Sequence, residues 1–475
     1  MQMTKLSFWT KVWYGYGNVG NAVKTVVFST FLFFYYNQLL GLSGKMCGTA
    51  LLVALCFDAI NDPLIGLWSD KMVSKKWGKR LPFMLFGGLP FAISLFFLFI
   101  PPADLSQVGL FFWFICFAIF TRTTQTFFQI PYLSLGAELT DDYAERSELY
   151  SFVQFFGFVG SVSVSGAGFL FFFHSTAEYN NGMLNEVMYP WFGLYVAVLI
   201  ILSSYGSILG TKKVILQRTN SITPTTETAE ENIYKTIKNI LNNHSFKTII
   251  IGLSVLMTVN ATGEILSTYL FIHFWEFKPE DIALYLAVPF FIGLAIALWL
   301  SPKMVQWVDK KYTLIYSNLA VWIITTFLIS LKLFNIIPDN ETARILTLMI
   351  GIGILNIFAP LILITINSIF ADIADEIEYE SKSQKTGTLF SIRALLSKIA
   401  TGVGSFFAGF LLDAIHFPKN AMMGKVAENV IYKLGIVSGP LLAVIGLIPI
   451  FFFLKYKIDR NRFDEIQKAI NERKK

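Results

Sequence analysis

Charge is scarce in this chain. Only 15% of its 475 residues are Asp, Glu, Lys or Arg, against about 25% in a soluble globular protein. Histidine occurs four times and cysteine three times. Cys47, Cys56 and Cys116 all fall in or beside apolar runs, so no disulfide framework is implied. There is no HExxH, no Walker-type Gly-rich loop, no CxxC pair and no Ser/His/Asp set, which removes the common metalloenzyme, nucleotide-hydrolase and hydrolase readings. The chain is not expected to be an enzyme, and no cofactor is expected beyond a coupling ion. What is present in excess is apolar: 54% of residues, including 47 Phe, with a mean hydropathy of +0.57. At about 20 residues per crossing, that supply is enough for a polytopic membrane protein and leaves little for a soluble domain. The net charge of +6 then reports basic loops at a membrane surface rather than a nucleic-acid partner.

Twelve apolar stretches can be marked: 14–38, 47–69, 82–100, 108–137, 149–173, 189–209, 248–271, 282–305, 314–333, 345–369, 388–412 and 434–455. Each is long enough to cross about 30 Å of hydrocarbon at about 1.5 Å per residue. Lys and Arg concentrate in alternate connections: Lys71 to Arg80, Lys212 to Lys247, and Lys455 to Lys475. The positive-inside rule therefore places both termini in the cytoplasm, with the chain multi-pass in the inner (plasma) membrane. The expected organisation is an N-terminal six-helix half (1–210), a cytoplasmic linker (211–246), a C-terminal six-helix half (247–455) and a cytoplasmic tail (456–475). Within the linker, Thr219 to Asn232 is rich in Thr and Glu and reads as lacking fixed structure. Ile233, Ile237, Ile240 and Leu241 recur at helical spacing, so a short helix follows, lying on the membrane surface or buried against the bundle. Asp70-Lys71 after the second stretch and Asp309-Lys310-Lys311 after the eighth suggest two related halves.

The informative residues are polar ones within apolar runs, where a charge costs at least about 2.5–3.5 kcal/mol on insertion scales. The second stretch contains Asp58-Ala-Ile-Asn61-Asp62-Pro63. Asp58 and Asp62 are one helical turn apart and share a face. Two adjacent carboxylates call for a positive partner, a shared proton or a cation. Pro63 also frees a backbone carbonyl, and this set of hard oxygens suits Na⁺ or H⁺.

Those residues also carry a resemblance. Asp58-Ala-Ile-Asn61-Asp62-Pro63-Leu-Ile-Gly66, followed by Gly78-Lys79-Arg80, resembles the second-helix signature of the glycoside–pentoside–hexuronide:cation symporters, a branch of the major facilitator superfamily. Supporting matches are Tyr14-Gly15-Tyr16-Gly17, Ile130-Pro131-Tyr132, Glu145-Arg146 and Ala371-Asp372 with Asp375. The resemblance implies an all-α membrane protein of twelve helices in two pseudo-symmetric halves. Its function would be cation-coupled symport of a sugar, glycoside or uronide-like solute, with a lysolipid or other amphiphile carrier as the alternative. A non-transporting sensor or a membrane enzyme is the remoter reading.

Carried over residue by residue, the cation site would comprise Asp58, Asn61, Asp62 and Thr126, with Asp58 and Asp62 as the metal (Na⁺) ligands. The family's helix-eleven Lys is matched by Lys398. The positions that read galactosides are Ala22, Gln129, Leu133 and Gln154 here, so galactoside recognition is altered. In their place the chain offers Asn21, Lys24, Arg122, Gln125, Gln129 and Gln154, with Glu264 and Lys398 from the second half. Lys24 and Arg122 shift this cavity toward positive potential, which favours an anionic or amphiphilic solute. Alternatively, Arg122 pairs with Glu264 or with an acid of the cation site. Asp70, Lys79, Arg80, Arg146 and Asp309 are expected to form gating contacts on the cytoplasmic side. The partners expected are the solute and the bilayer, with the chain acting as a monomer.

Overall fold

A computed structural model describes residues 5–474 except 73–76, 79, 141–142, 220–232, 338–339 and 382–384. Every regular element among the described residues is helical. In chain order the α-helices are α1 (Phe8–Tyr16), α2 (Val19–Val26), α3 (Gly44–Lys71), α4 (Leu81–Phe97), α5 (Gln107–Glu138), α6 (Tyr143–Ala167) and α7 (Met188–Thr219). There follow α8 (Ile233–Asn242), α9 (His244–Tyr269), α10 (Pro279–Leu333), α11 (Glu341–Ser381), α12 (Thr386–Ala414), α13 (Glu428–Ile436), α14 (Leu442–Phe453) and α15 (Arg460–Lys474).

Nine helices among the described residues are long and apolar enough to cross a membrane. The remaining expected spans take other forms. The third is a shorter apolar helix, α4. The first is divided into α1, α2 and two π-helical stretches, Val27–Leu32 and Tyr35–Leu39. The eighth and ninth are joined in α10, where only Asp309 leaves helical geometry (φ 70°, ψ 161°). The loop expected from 306 to 313 is therefore a one-residue break. A non-glycine residue at this φ and ψ costs about 1–3 kcal/mol, and the Asp309 carboxylate offsets part of it by accepting from the Lys310 backbone N–H. Two helices also outrun their apolar stretches, since α7 continues to Thr219 and α11 to Ser381. Polar helical turns can extend into water, and hydropathy does not mark their ends.

The chain forms two compact units. The first contains 1–226, 278–283 and 405–425; the second contains 227–277, 284–404 and 426–475. In the first, α1 is clasped to α5 by a reciprocal pair: Tyr14 Oη donates to the Tyr132 carbonyl (2.9 Å) and Tyr132 Oη to the Tyr14 carbonyl (2.8 Å). Their rings stack with centroids 4.7 Å apart. The small residues of α6 serve packing, as their spacing suggests: a Cβ at Gly157 would meet Asn18 Nδ2 at 2.6 Å. The start of α3 is capped by Asp413, which accepts from the N–H groups of Gly44 (2.9 Å) and Lys45 (2.8 Å).

In the second unit an apolar core joins α9, α10, α11 and α14, and Ile240 of α8 is buried in it. Of the two readings of the linker helix, burial of one face against its unit is the one observed. The Thr- and Glu-rich stretch before it, at 220–232, lies outside the described residues.

Candidate functional site

The site lies in the first unit, on facing stretches of α3 and α5. Asp58 and Asp62 project from one face of α3 as their four-residue spacing requires. Thr126 of α5 meets both: its Oγ1 lies 3.1 Å from Asp58 Oδ1 and 3.0 Å from Asp62 Oδ1, and also 3.0 Å from the Arg122 carbonyl oxygen. A hydroxyl has one proton to donate, so three acceptors surround a single donor. Asp58 and Thr126 are buried. On the other side of Asp58, Arg122 Nη1 lies 3.3 Å from Oδ2, and both side chains are less than a tenth exposed. The guanidinium also sits over the Phe28 ring, 4.8 Å from its centroid. Two carboxylates and one guanidinium thus meet around one hydroxyl.

Asn61 is in the same stretch of α3, and its Nδ2 donates to Thr123 Oγ1 (2.8 Å). This orientation leaves the amide oxygen as the Asn61 atom available to a cation. Among the described residues no three His, Cys, Asp or Glu side chains converge on a metal position. A cation here would therefore take hydroxyl and amide oxygens besides the two carboxylates, a donor set for a hard monovalent ion.

The resemblance-based residues divide into three groups. Asp58, Asp62, Thr126 and Arg122 come together, and Asn61 lies beside them. Asn21 and Gln125 pair with each other, Gln125 Nε2 donating to Asn21 Oδ1 at 2.7 Å, with Asn18 next in line at 3.5 Å. Gln129 is one further turn along α5, and its Oε1 is buried with no hydrogen-bond partner among the described residues. Lys24 is half-buried on α2, and Gln154 is exposed on α6. Glu264 (exposed, on α9) and Lys398 (half-buried, on α12) belong to the second unit.

For Arg122, the structure realises pairing with an acid of the cation site, through Asp58, rather than the unpaired cation that the sequence suggested. Phe28 and Thr123 complete the surroundings and were not singled out by sequence. Thr123 stands beside Arg122 in the polar run Thr121–Thr126 and could have been flagged, whereas Phe28 is one of 47 phenylalanines and carries no signal.

Among the expected gating residues, Arg80 is buried and donates to Ser69 Oγ (2.8 Å). Asp309 occupies the break in α10. Lys79 lies outside the described residues, as do the side chains of Asp70 and Arg146. Nearby in chain, Glu145 accepts from the Leu6 N–H (2.6 Å) and Thr140 Oγ1 (2.7 Å), with Lys11 Nζ 3.5 Å away. Burial pushes the Glu145 carboxyl up, but these hydrogen bonds and the Lys11 charge together hold it below the usual Glu value.

Comparison with known proteins supplies the wider context. The chain is 25% identical over 472 residues to a putative glycoside/cation symporter, YagG, of Escherichia coli, covering 98% of this chain and 96% of that one. It is 22% identical to an isoprimeverose transporter of Lactiplantibacillus pentosus, covering 91% and 85% respectively. Its fold is similar to the crystal structure of a D-xylose–proton symporter, with a TM-score of 0.60 at 15% identity, over 95% of this chain and 98% of that one. The family described as MFS/sugar transport protein matches residues 13–460. With its apolar helices and this match over nearly its whole length, the chain is a multi-pass membrane transporter and not an enzyme, and it belongs to the MFS/sugar transport protein family.

Proposed function

We propose that this protein is a cation-coupled symporter that carries a sugar, glycoside or uronide-like solute by alternating access, with Na⁺ or H⁺ as the coupling ion. The observation that carries the reading is the Thr126 hydroxyl held between Asp58 and Asp62 beside Arg122. The two carboxylates and the Thr126 hydroxyl supply hard oxygens for one monovalent cation. Binding that cation removes the residual repulsion between the carboxylates and favours an arrangement of α3 against α5 that the empty site resists. A solute that binds better to this arrangement is coupled to the ion, and the coupling is reciprocal.

The relatives' names, a glycoside/cation symporter and an isoprimeverose transporter, support a sugar-like solute. Hydrogen-bonding side chains stand near the cation cluster on α2 and α5: Asn21, Gln125 and Gln129. Polar groups of this kind read hydroxyls. Because Arg122 already has an anion in Asp58, a neutral glycoside is favoured over an anionic solute. The protein would sit in the inner (plasma) membrane as a monomer with both termini cytoplasmic, following the Lys and Arg distribution.

The test is solute uptake into proteoliposomes under an imposed Na⁺ or pH gradient, preceded by a stabilisation screen of glycosides with and without Na⁺. Asp62→Asn should abolish gradient-driven accumulation while leaving the folded protein in the membrane. Accumulation that neither gradient drives in wild type, or that survives unchanged in Asp62→Asn, would overturn the proposal.

A further inference from the structure

A polar cavity lies in the second unit, where α14 ends, α9 begins and α10 breaks. Its volume is about 700 Å³, and it is lined by His244, Asp309, Lys311, Tyr312 and the segment Leu454–Asp459. That segment begins in the turn that closes α14, where the Lys455 and Tyr456 N–H groups donate to the Phe452 (3.0 Å) and Phe453 (3.1 Å) carbonyls, and its burial alternates. Tyr456 and Ile458 are buried, whereas Lys455, Lys457 and Asp459 are exposed. Lys455 and Lys457 both line the cavity. Two hydrogen bonds hold the segment in place: Lys311 Nζ donates to the Tyr456 carbonyl (3.0 Å), and His244 Nε2 lies 3.2 Å from the Lys455 carbonyl.

The charges around this cavity are unevenly committed. Asp309 accepts from the Lys310 backbone N–H, and Asp459 Oδ1 accepts from the Arg462 N–H at 2.8 Å, so each acid serves the start of a helix. The neighbouring Lys310 is held by Asp372, with Nζ 2.7 Å from both carboxylate oxygens, and does not line the cavity. Lys311 uses one of its three protons on a carbonyl. Lys455 and Lys457 make no ion pair among the described residues. The lining thus carries three lysines against two aspartates, each of the acids already accepting a backbone N–H.

The level of the cavity is that of a membrane interface. The last apolar span ends at Phe453 and another begins at His244. Exposed apolar and aromatic side chains border it on the membrane side: Leu454, Phe451 and the stacked pair Tyr312 and Tyr316, with centroids 6.1 Å apart. Tyrosines at this depth and lysines just beyond it match the amphipathic profile of a phospholipid, with apolar chains below and phosphate above.

We propose that this cavity is a binding site for the phosphate headgroup of an anionic phospholipid, with Lys311, Lys455 and Lys457 as the phosphate ligands. The lipid comes from the leaflet facing the C-terminus, its acyl chains lying along Leu454, Phe451 and Tyr316. Occupancy would fix the end of α14 to the break in α10.

The experiment uses the full-length purified protein and native mass spectrometry after exchange into nanodiscs. One set contains dioleoylphosphatidylglycerol and the other dioleoylphosphatidylcholine. Wild type should retain the anionic lipid in preference to the zwitterionic one. The double substitution Lys455→Gln/Lys457→Gln should weaken that retention about twenty-five-fold, since each juxtamembrane lysine contributes roughly fivefold. A control that removes two exposed lysines elsewhere, Lys278→Gln/Lys468→Gln, should leave retention unchanged. Free sn-glycerol 3-phosphate and inorganic phosphate are added in separate arms to distinguish a lipid from a soluble anion. Equal retention of both lipids, equal loss in the control, or full competition by either soluble phosphate would overturn the assignment.

Discussion

Replacing Arg122 by Gln would leave Asp58 as a buried carboxylate without its guanidinium. The wild-type pair is almost wholly out of water. Removing one partner of such a pair costs about 3–5 kcal/mol, because the remaining charge is uncompensated, whereas removing both is often close to neutral. The 3.3 Å separation is longer than the 2.7–2.9 Å of a strong charge-assisted bond, and Thr126 still reaches Asp58, so the lower end, about 3 kcal/mol, is expected. For a cooperative unit of about 150–250 residues each kcal/mol moves Tm by about 2–4 °C. Arg122→Gln should thus lower Tm by roughly 6–12 °C, Asp58→Asn by a similar amount, and the double substitution should recover most of the loss. The assay is thermal unfolding of the four proteins in the same detergent, read as a double-mutant cycle with an expected coupling of about 2 kcal/mol or more. The same series tests the solute: with Arg122 engaged by Asp58, an anionic glycoside should stabilise wild type no more than its neutral counterpart. Additive effects within about 0.5 kcal/mol would refute the pair as an energetic unit. An anion preference that Arg122→Gln erases would restore the anionic-solute reading.

Two further outcomes follow from the geometry. Thr126→Val keeps the side-chain shape but removes the oxygen shared by Asp58 and Asp62, so ion-dependent stabilisation should fall at least tenfold in apparent affinity, and Thr126→Ser should restore it; an unchanged ion dependence in the valine variant would place the cation elsewhere. Glu145→Gln should cost about 1 kcal/mol at pH 7 through weaker acceptance from Leu6, Thr140 and Lys11. Because the folded Glu145 carboxyl is held below 4.5, the wild-type advantage should persist down to about pH 4.5 and shrink as the pH falls further. An advantage that instead grows on acidification would contradict the sign of that shift.

Much of the fold was legible because a membrane makes sequence and structure nearly equivalent. A spanning segment must satisfy its backbone internally, so length and hydropathy alone identify helices. They could not mark that α7 and α11 run on past their apolar stretches, nor that Asp309 alone would separate two spans, since one residue's φ and ψ leave no trace in hydropathy. The facing of Asp58 and Asp62 was also written in the sequence, because a four-residue spacing on a helix fixes a shared side. The partner of Arg122 was not. Its reach allowed Asp58, Glu264 or a ligand, and choosing among them required the placement of α3 against α5, which depends on side-chain packing along both helices. The lysines of the C-terminal segment show the same division. Composition marked them as basic, but only the fold, with the segment after α14 held by Lys311 and His244, brings Lys455 and Lys457 to the lining of one cavity. Local periodicity is a property of the chain and can be read from it, whereas convergence of residues distant in sequence is a property of packing and appears only in three dimensions.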